Sequence, residues 1–443
     1  MPLPSLPTLA ASAAVSTQMD TRTAALEVAT KLVRGLTSDG AEEATPAARA
    51  DAAADLVLLF GSFHHRAAFS EAAGLVSKLV EPRCIVGVTA EWVVGPRHEV
   101  EGGPGLSALA MRLPGVAIDP VRFDPFDGPT EHWSLETIRE KLGAGPDAKA
   151  TLLFADPFSL QTPVLLKRIA EATADHPFPI IGGLASGSSQ PGANVLVLDR
   201  TLAASGAVGV TLSGPIAVDP LVSPGCRPVG RPFIITKAKG NVIEELGGRP
   251  ALDVARETIG ALPDDERIAV REGLLVGFAV SEYRDRFGRS DFLLRGVLGA
   301  DTKRNTLIVG DRARVGRTVQ FFLRDRATAV EDLDLLLDRE QVRELPFAVL
   351  MATCGSRGRK LFRAPHADAR HFARRLGDPP LAGLFAAGEI GPLGAWDREQ
   401  AGRSDGPSQR DPLQQSWLHG HTVAAALFRR EDPTAQASDD QQR

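Results

Sequence analysis

Cysteine is scarce in this sequence, and basic residues are not in excess. The 443 residues contain only three cysteines, Cys84, Cys226 and Cys354, too few for a disulfide framework. This scarcity is typical of a protein in a reducing compartment. Lysine and arginine number 50, against 55 aspartate and glutamate residues, which leaves a net charge of -5. Nucleic-acid binding requires a concentrated basic face, so this balance gives no support for a nucleic-acid partner.

Long apolar segments and a basic leader are also missing. No run approaches the 18 consecutive apolar residues of a transmembrane helix, so no membrane partner is expected. The first basic residue is Arg22, whereas a secretory signal needs a positively charged start. The sequence therefore predicts a cytoplasmic protein. It contains no P-loop, and no GxGxxG motif opens a helix after the first strand, so no nucleotide cofactor is expected.

The sequence does contain a recurring pattern of apolar strands that end in polar or glycine-rich segments. The first copy runs from residues 56–60 to Gly87, and the second runs from residues 151–154 to Gly182. In each copy a strand, a polar end, a helix and a second strand follow one another at similar spacing. Residues 347–391 show the same order a third time. We therefore predict a repeated β-α-β-β unit, present at least twice, although any α/β protein alternates strands and helices.

The predicted fold is mixed α/β, with helices packed on mixed sheets and an αββα layering as one way of stacking them. Two modules are expected, at residues 51–235 and 236–428. Residues 1–50 should form a tail and an amphipathic helix, with about the first 20 residues disordered, and residues 429–443 should form a disordered tail. Residues 395–415 are polar and predict a mobile loop.

The candidate site is centred on Cys354, which follows an apolar strand. Arg357 and Arg359 lie nearby in sequence, and positive charge lowers the pKa of a thiol and favours the reactive thiolate. A cysteine is also often a small buried hydrophobic residue, so both interpretations stay open.

Further candidates follow along the chain. Glu389 could bind the amine of an amino acid while Arg357 binds its carboxylate, or these two side chains could pair with each other or cap helices. His419 and His421 are two residues apart and would face the same side of a strand. Together with Cys354 and Glu389 they are residue types that bind zinc, but the spacing is weak evidence and no metal is expected. The candidate ligand-binding residues are Cys354, Gly355, Arg357, Gly358, Glu389, Gly391, His419 and His421.

An ordered succession of short motifs resembles one known family, the FIST-domain proteins. The motifs lie at residues 55–65, 102–113, 206–214, 225–230, 236–243, 315–320, 354–359, 388–392 and 418–422. The chain thus resembles a FIST N module followed by a FIST C module. The resemblance implies a sensory or regulatory protein that binds a small ligand, with amino acids as the suspected class, and that reports to a signalling partner. Residues 395–415 look like an insertion relative to the family pattern.

Three hypotheses follow from these observations. The leading one is a small-ligand sensor without catalytic residues. The second is an enzyme that uses Cys354 as nucleophile and His366, His419 or His421 as base, although no local signature of a cysteine hydrolase is present. The third is an interaction scaffold in which the glycine-rich strand ends only turn corners.

Overall fold

A computed structural model describes residues 8–37, 53–270, 273–282, 287–393 and 415–431. The predicted loop at residues 395–415 lies outside these residues except for Gln415, and so does the predicted C-terminal tail beyond residue 431. The fold is mixed α/β, with 27% helix and 41% strand, as predicted. No helix within the described ranges is both long and apolar enough to cross a bilayer.

The chain divides into two compact units. The larger takes the described residues of Met1–Val222, Asp334–Leu418 and Val423–Arg443, and the smaller takes Ser223–Leu333 and His419–Thr422. The smaller unit is thus an insertion in the chain of the larger one. The predicted module boundary at residues 235 and 236 follows a different division of the chain and stays a prediction.

The elements of the larger unit fall into three repeats of similar order. The first repeat consists of β1 (Ala10–Ser16), α1 (Thr21–Leu36), β2 (Leu56–Ser62), α2 (Phe69–Val80), β3 (Cys84–Ala90), β4 (Val93–Gly95), β5 (His98–Val100) and β6 (Leu106–Arg112). The second consists of β7 (Ala117–Phe123), α3 (Leu135–Leu142), β8 (Ala148–Ala155), α4 (Thr162–Ala172), β9 (Ile180–Leu184), β10 (Leu196–Leu198), β11 (Thr201–Ala203) and β12 (Ala207–Ser213).

The third repeat begins with β13 (Ile216–Pro224) and is then interrupted by the smaller unit. That unit contains β14 (Cys226–Lys239), β15 (Val242–Leu246), β16 (Arg249–Pro250), α5 (Ala251–Gly260), α6 (Asp264–Val270), β17 (Leu274–Ala279), β18 (Phe292–Asp301), β19 (Thr306–Val309) and β20 (Thr318–Arg324). The repeat resumes with α7 (Arg326–Glu340), whose residues up to Leu333 still fall in the smaller unit. The remaining elements are β21 (Ala348–Cys354), α8 (Gly358–Phe362), α9 (Ala367–Arg375), β22 (Leu381–Ala386), β23 (Glu389–Pro392), β24 (Ser416–His419) and β25 (Thr422–Arg430).

The three sheets of the larger unit share one strand order. They run β1-β6-β2-β3-β10-β11, β7-β12-β8-β9-β23-β24 and β13-β25-β21-β22-β4-β5. In each sheet two parallel strands lie side by side, as β2 and β3 do. The first of the two also pairs with an antiparallel strand, as β2 does with β6. The prediction of a repeated β-α-β-β unit is confirmed, and it extends to three copies.

Each repeat contributes a pair of short strands to the sheet of another repeat. The pair β4 and β5 completes the third sheet, β10 and β11 complete the first, and β23 and β24 complete the second. In the first two repeats the two strands are joined by two residues, of which Arg97 and Asp199 have a left-handed backbone. In the third repeat residues 393–415 make this connection, so the extra length lies within one hairpin.

A single hydrophobic core is shared by the three sheets. It draws equivalent residues from each, among them Leu58, Phe60, Val86, Leu152, Phe154, Ile181, Leu350, Ala352 and Leu384. Helices α1 and α2 cover the first sheet over a second core that includes Val28, Leu32, Phe69 and Val76, and α3 and α4 cover the second sheet in the same way. The parallel strands are therefore buried on both faces, which explains their continuous apolar sequences.

One glycine occupies the same position in the second parallel strand of every repeat. Gly87 pairs with Leu59, Gly182 with Leu153, and Gly383 with Met351. A Cβ atom would lie 3.2, 2.0 and 1.8 Å, respectively, from the carbonyl oxygens of these three partners. The close approach of the two strands thus requires glycine, most strictly in the second and third repeats.

The N-terminal region differs from its prediction. Residues Ala10–Ser16, expected to be disordered, form β1 and pair antiparallel with β6 over the whole strand. Their small side chains resemble a low-complexity tail in sequence, but they let α1 pack closely on the strand. A Cβ atom at Gly35 of α1 would lie only 2.2 Å from Ser12 Oγ. Small residues here serve close packing rather than disorder.

The smaller unit is built on one sheet with the order β14-β20-β17-β18-β19-β15-β16. Its first hairpin turns at Gly240 and Asn241, with Lys239 paired to Val242 and a left-handed backbone at Gly240. One face of the sheet packs on α5 through apolar residues that include Ile235, Ile243, Val254, Phe278 and Phe321. Cys226 lies buried in β14.

Candidate functional site

The first parallel strand of each repeat ends at an equivalent polar position. Ser62 pairs with Ala90 and Cys354 with Ala386, and Asp156 follows directly after Ala155, which pairs with Leu184. Ser62 Oγ accepts a hydrogen bond from the Gly105 N–H at 2.9 Å. The buried Asp156 accepts hydrogen bonds from the Asn194 side chain and from the Phe158 backbone. The first two repeats therefore use this position to fix their own loops.

The third repeat places a thiol at this position. Cys354 is partly exposed, and the Ser356 hydroxyl lies 3.2 Å from Sγ in a geometry that makes it a donor. The backbone turns sharply after the strand, because the Arg357 N–H donates to the Cys354 carbonyl at 2.9 Å. Cys354 thus combines partial exposure with a hydrogen bond to its sulfur.

The ends of the second parallel strands meet beside this thiol. Ser186, which follows β9, accepts a hydrogen bond from the Glu91 N–H at 2.8 Å and donates to the Phe385 carbonyl of β22. The Gly355 N–H donates to the Ala386 carbonyl at 3.4 Å. A Cβ atom at Gly355 would lie 3.1 Å from Glu91 Oε2, so the carboxylate lies against the Cys354 turn. We call Glu91, Ser186, Cys354 and Gly355 the strand-end junction, since all three repeats contribute to it.

Arg357 is held by a buried ion pair. Its Nε and Nη2 donate to the two carboxylate oxygens of Asp368 at 2.8 and 2.7 Å, and both side chains are 0 or 1% exposed. Thr353 Oγ1 also donates to Asp368, at 3.0 Å. Asp368 therefore fixes the residues on both sides of the Cys354 turn. Two guanidinium nitrogens of Arg357 are engaged in this way, and its predicted contact with a ligand carboxylate stays a prediction.

Two acidic residues from the first repeat, Glu99 and Glu101, contact the helices that follow the Cys354 turn. Glu99 of β5 accepts a hydrogen bond from the Ala369 N–H at 2.9 Å, and burial, followed by the Asp368 carboxylate, raises the pKa of Glu99 to about 8. Glu101 accepts the Arg359 N–H at 3.1 Å, and burial raises its pKa. Gly358 has a left-handed backbone, and a Cβ atom there would lie 2.7 Å from the Glu101 carboxylate. The absence of a side chain at Gly358 therefore makes room for the Glu101 carboxylate.

The other predicted residues lie in different surroundings. Glu389 is fully buried in β23 and pairs with Gly183 of β9, while Gly391 permits close contact with Val222. His419 and His421 belong to the smaller unit, whereas Cys354, Arg357 and Glu389 belong to the larger. Burial, followed by the charges of Arg324 and Arg295, lowers the pKa of His421 to about 4. No group of three or more His, Cys, Asp or Glu side chains is arranged to bind a metal among the described residues.

Sequence reasoning missed Glu91, Ser186, Glu99 and Asp368. The available signal was the repeat itself, since Glu91 and Ser186 each stand one residue beyond equivalent alanines, Ala90 and Ala185. Aligning the repeats strand by strand would have marked both as strand-end residues. Which strand ends meet depends on long-range pairing that spacing alone does not specify.

The three thiols should differ strongly in reactivity. Cys84 and Cys226 are buried, and burial, followed by the Asp199 carboxylate, raises the pKa of Cys84 to about 12. We expect the native protein to titrate one thiol with a disulfide reagent, and the unfolded protein to titrate three. Mass spectrometry of the labelled peptide should identify Cys354, and Cys354→Ser should remove the native reaction. Rapid native labelling of Cys84 or Cys226 would contradict this burial pattern.

Comparison with known proteins defines the class of this chain. The family model for the FIST N domain matches residues 55–249, and that for the FIST C domain matches residues 251–392. The chain therefore belongs to the FIST family, whose domains act in sensing and signal transduction. An uncharacterized protein of Mycobacterium tuberculosis (strain ATCC 25618 / H37Rv) is 36% identical over 425 residues, covering 94% of this chain and 98% of the relative.

Other similarities are less informative. An uncharacterized protein of Mycobacterium bovis is 36% identical over 394 residues, covering 85% of this chain and 91% of that protein. Among solved structures, a cyanuric acid hydrolase from A. caulinodans matches 96% of this chain and 100% of its own at a TM-score of 0.34 and 9% identity. That likeness is too low to transfer a fold or an activity.

Proposed function

We propose that this protein is a cytoplasmic sensor of a small polar ligand, that the ligand contacts the strand-end junction, and that a signalling protein receives the response. The observation that carries the proposal is the meeting of a thiol, a carboxylate and a hydroxyl, one from each repeat, at Cys354, Glu91 and Ser186. All three are partly exposed. The amino-acid class of ligand rests on the family alone.

Glu91 is the best-placed group for recognising a ligand. Its backbone is fixed by Ser186, and among the described residues its carboxylate takes part in no hydrogen bond or ion pair. A carboxylate held without a protein counterion favours a cationic or hydrogen-bond-donating group on a ligand. Glu389, the acid first predicted for this role, is fully buried and stays an alternative.

The histidine chemistry favours binding over catalysis. Nδ1 of His366 accepts the Glu99 N–H at 2.9 Å, so one of its nitrogens is engaged in the fold. The lowered pKa of His421, about 4, makes it a weak base at neutral pH. Two of the three bases predicted for a cysteine-dependent enzyme are therefore poorly suited, which supports the sensor over that alternative.

A thermal-shift screen against amino acids and related metabolites tests the proposal. A ligand at 100 times its dissociation constant adds about 2.7 kcal/mol, which should raise the melting midpoint of a chain of this size by about 3 °C. We expect Glu91→Gln to abolish the shift and the exposed control Glu136→Gln to retain it. Loss in Glu389→Gln alone would place the ligand at β23 instead. No shift with any compound would favour the scaffold hypothesis.

A further inference from the structure

Two buried acids share one buried guanidinium near the Cys354 turn. The Asp368 carboxylate accepts hydrogen bonds from Nε and Nη2 of Arg357, and both side chains are almost completely buried. Glu99, which is 1% exposed, uses Oε1 to accept the Ala369 N–H, while its Oε2 has no hydrogen-bond partner within the described part of the chain. The cluster thus holds two carboxyl groups against one matching cation, and Glu99 is the acid left without its own counterion.

The charged groups around Glu99 come from several segments. Asp368, Glu101 and Arg357 act on Glu99 itself. Arg359 and Lys360 act on the neighbouring Glu101, and His98 and Arg370 act on the neighbouring His366. Burial, and then the Asp368 carboxylate, raise the pKa of Glu99, whereas the hydrogen bond from the Ala369 N–H and the charge of Arg357 lower it. The first two effects dominate, so the folded protein favours the protonated form of Glu99.

Glu99 and its neighbours connect the first repeat to the turn that carries the thiol. The Glu99 N–H donates to His366 Nδ1 and its side chain accepts from Ala369, so β5 is bonded to the start of α9 on both sides of Asp368. Asp368 in turn binds Thr353 before Cys354 and Arg357 after it. Hydrogen bonds therefore link Glu99 and α9 to the residues on both sides of the thiol.

We propose that Glu99 is a proton-dependent positioning residue for the Cys354 turn. With its proton, Glu99 lets Asp368 bind Arg357 and Thr353 together. When the proton leaves, a second negative charge lies against Asp368 in a buried setting and competes for Arg357, and the turn loosens. This device would regulate the proposed ligand site, but its test needs no ligand, so failure of the metabolite screen would leave it standing.

The first test is stability against pH for the wild type and Glu99→Gln. The pKa of Glu99 in the folded protein is about 8, above its ordinary value of 4.5. The wild type should therefore lose stability relative to the variant as pH rises from about 4.5 to 8, and the gap should then stay constant. His366 has a lowered pKa, so its protonation lowers the stability of the folded protein below pH 6.5. This effect is the same in both proteins and leaves the difference between them unchanged. Glu136→Gln should run parallel to the wild type.

An offset between wild type and Glu99→Gln that is the same at every pH would show that the pKa of Glu99 is not raised in the folded protein, and that result would overturn the proposal. The second test follows the turn itself by hydrogen exchange of residues 354–369. The exchange rate of the wild type divided by that of Glu99→Gln should be near one at pH 6 and rise severalfold by pH 9. Residues 135–142 of α3 serve as internal control.

Should Glu99→Gln fold poorly, the wild type still decides the question. Its protection at residues 354–369, corrected for intrinsic exchange, should fall between pH 7 and 9 while that of residues 135–142 does not. Equal protection across this range would overturn the positioning role.

Discussion

Gly383→Ala is expected to prevent stable folding of the larger unit. The new Cβ atom would lie 1.8 Å from the Met351 carbonyl oxygen on the neighbouring parallel strand, and no side-chain movement relieves a clash with backbone. We expect a loss of more than about 4 kcal/mol in the free energy of unfolding, the range reserved for severe disruption. Urea denaturation measures the loss, and recovery of only insoluble protein would be the stronger form of the same result.

The equivalent glycines provide a graded comparison. Gly182→Ala should be similarly severe, with a Cβ atom 2.0 Å from the Leu153 oxygen, whereas Gly87→Ala meets the Leu59 oxygen at 3.2 Å and should cost only about 1–3 kcal/mol. Gly74→Ala in α2 is the control, because nothing lies within 4 Å and alanine should stabilise the helix by about 0.5–1 kcal/mol. Equal effects at Gly87 and Gly383 would contradict the steric explanation.

Asp368→Ala is expected to destabilise the protein by about 3–5 kcal/mol, because it leaves the guanidinium of Arg357 in a buried site without its carboxylate partner. The same substitution removes the acceptor of the Thr353 hydroxyl, so the Cys354 turn should also exchange amide hydrogens faster. Chemical denaturation and hydrogen exchange of residues 353–369 measure the two effects.

A double substitution separates charge from packing in this prediction. Arg357→Met combined with Asp368→Leu removes both charges and should recover much of the lost stability, since well-packed apolar residues often replace a buried ion pair at little cost. Glu71→Ala, which breaks the exposed pair of Glu71 and Arg22, should change stability by less than about 1 kcal/mol. A double variant less stable than Asp368→Ala would show that packing, and not unpaired charge, dominates.

The repeated unit could be predicted from sequence because its parallel strands are buried on both faces. The first parallel strands are nearly continuous apolar runs, at residues 56–60, 151–154 and 348–353. The number of residues from each run to the glycine of the following strand is similar. The exchange of hairpins could not be predicted. Strands β4, β5, β10 and β11 contain three residues each, and Val93 pairs with Leu384, far along the chain. Such short strands carry almost no register information of their own.

Only part of the candidate site could be predicted from the sequence, for a related reason. Cys354 stands at the end of an obvious strand, so its position followed from local pattern. Many acids of the chain were candidates for the partner of Arg357, and the pairing with Asp368 depends on how α9 packs, which no local pattern specifies. Glu91 and Ser186 meet because two sheets adjoin, which is a property of the tertiary structure and not of any sequence window.

The exchange of short strand pairs between repeats bears on the ancestry of this chain. No repeat completes a sheet from its own strands, because each sheet needs β4 and β5, or their equivalents, from another repeat in a closed cycle of three. A ring of three identical one-repeat chains would pair these edges in the same closed cycle, so the topology is consistent with a trimeric ancestor. The interfaces between the subunits of such a trimer would correspond to the present contacts between repeats. The two departures from the common pattern, the smaller unit and residues 393–415, both lie in the third repeat.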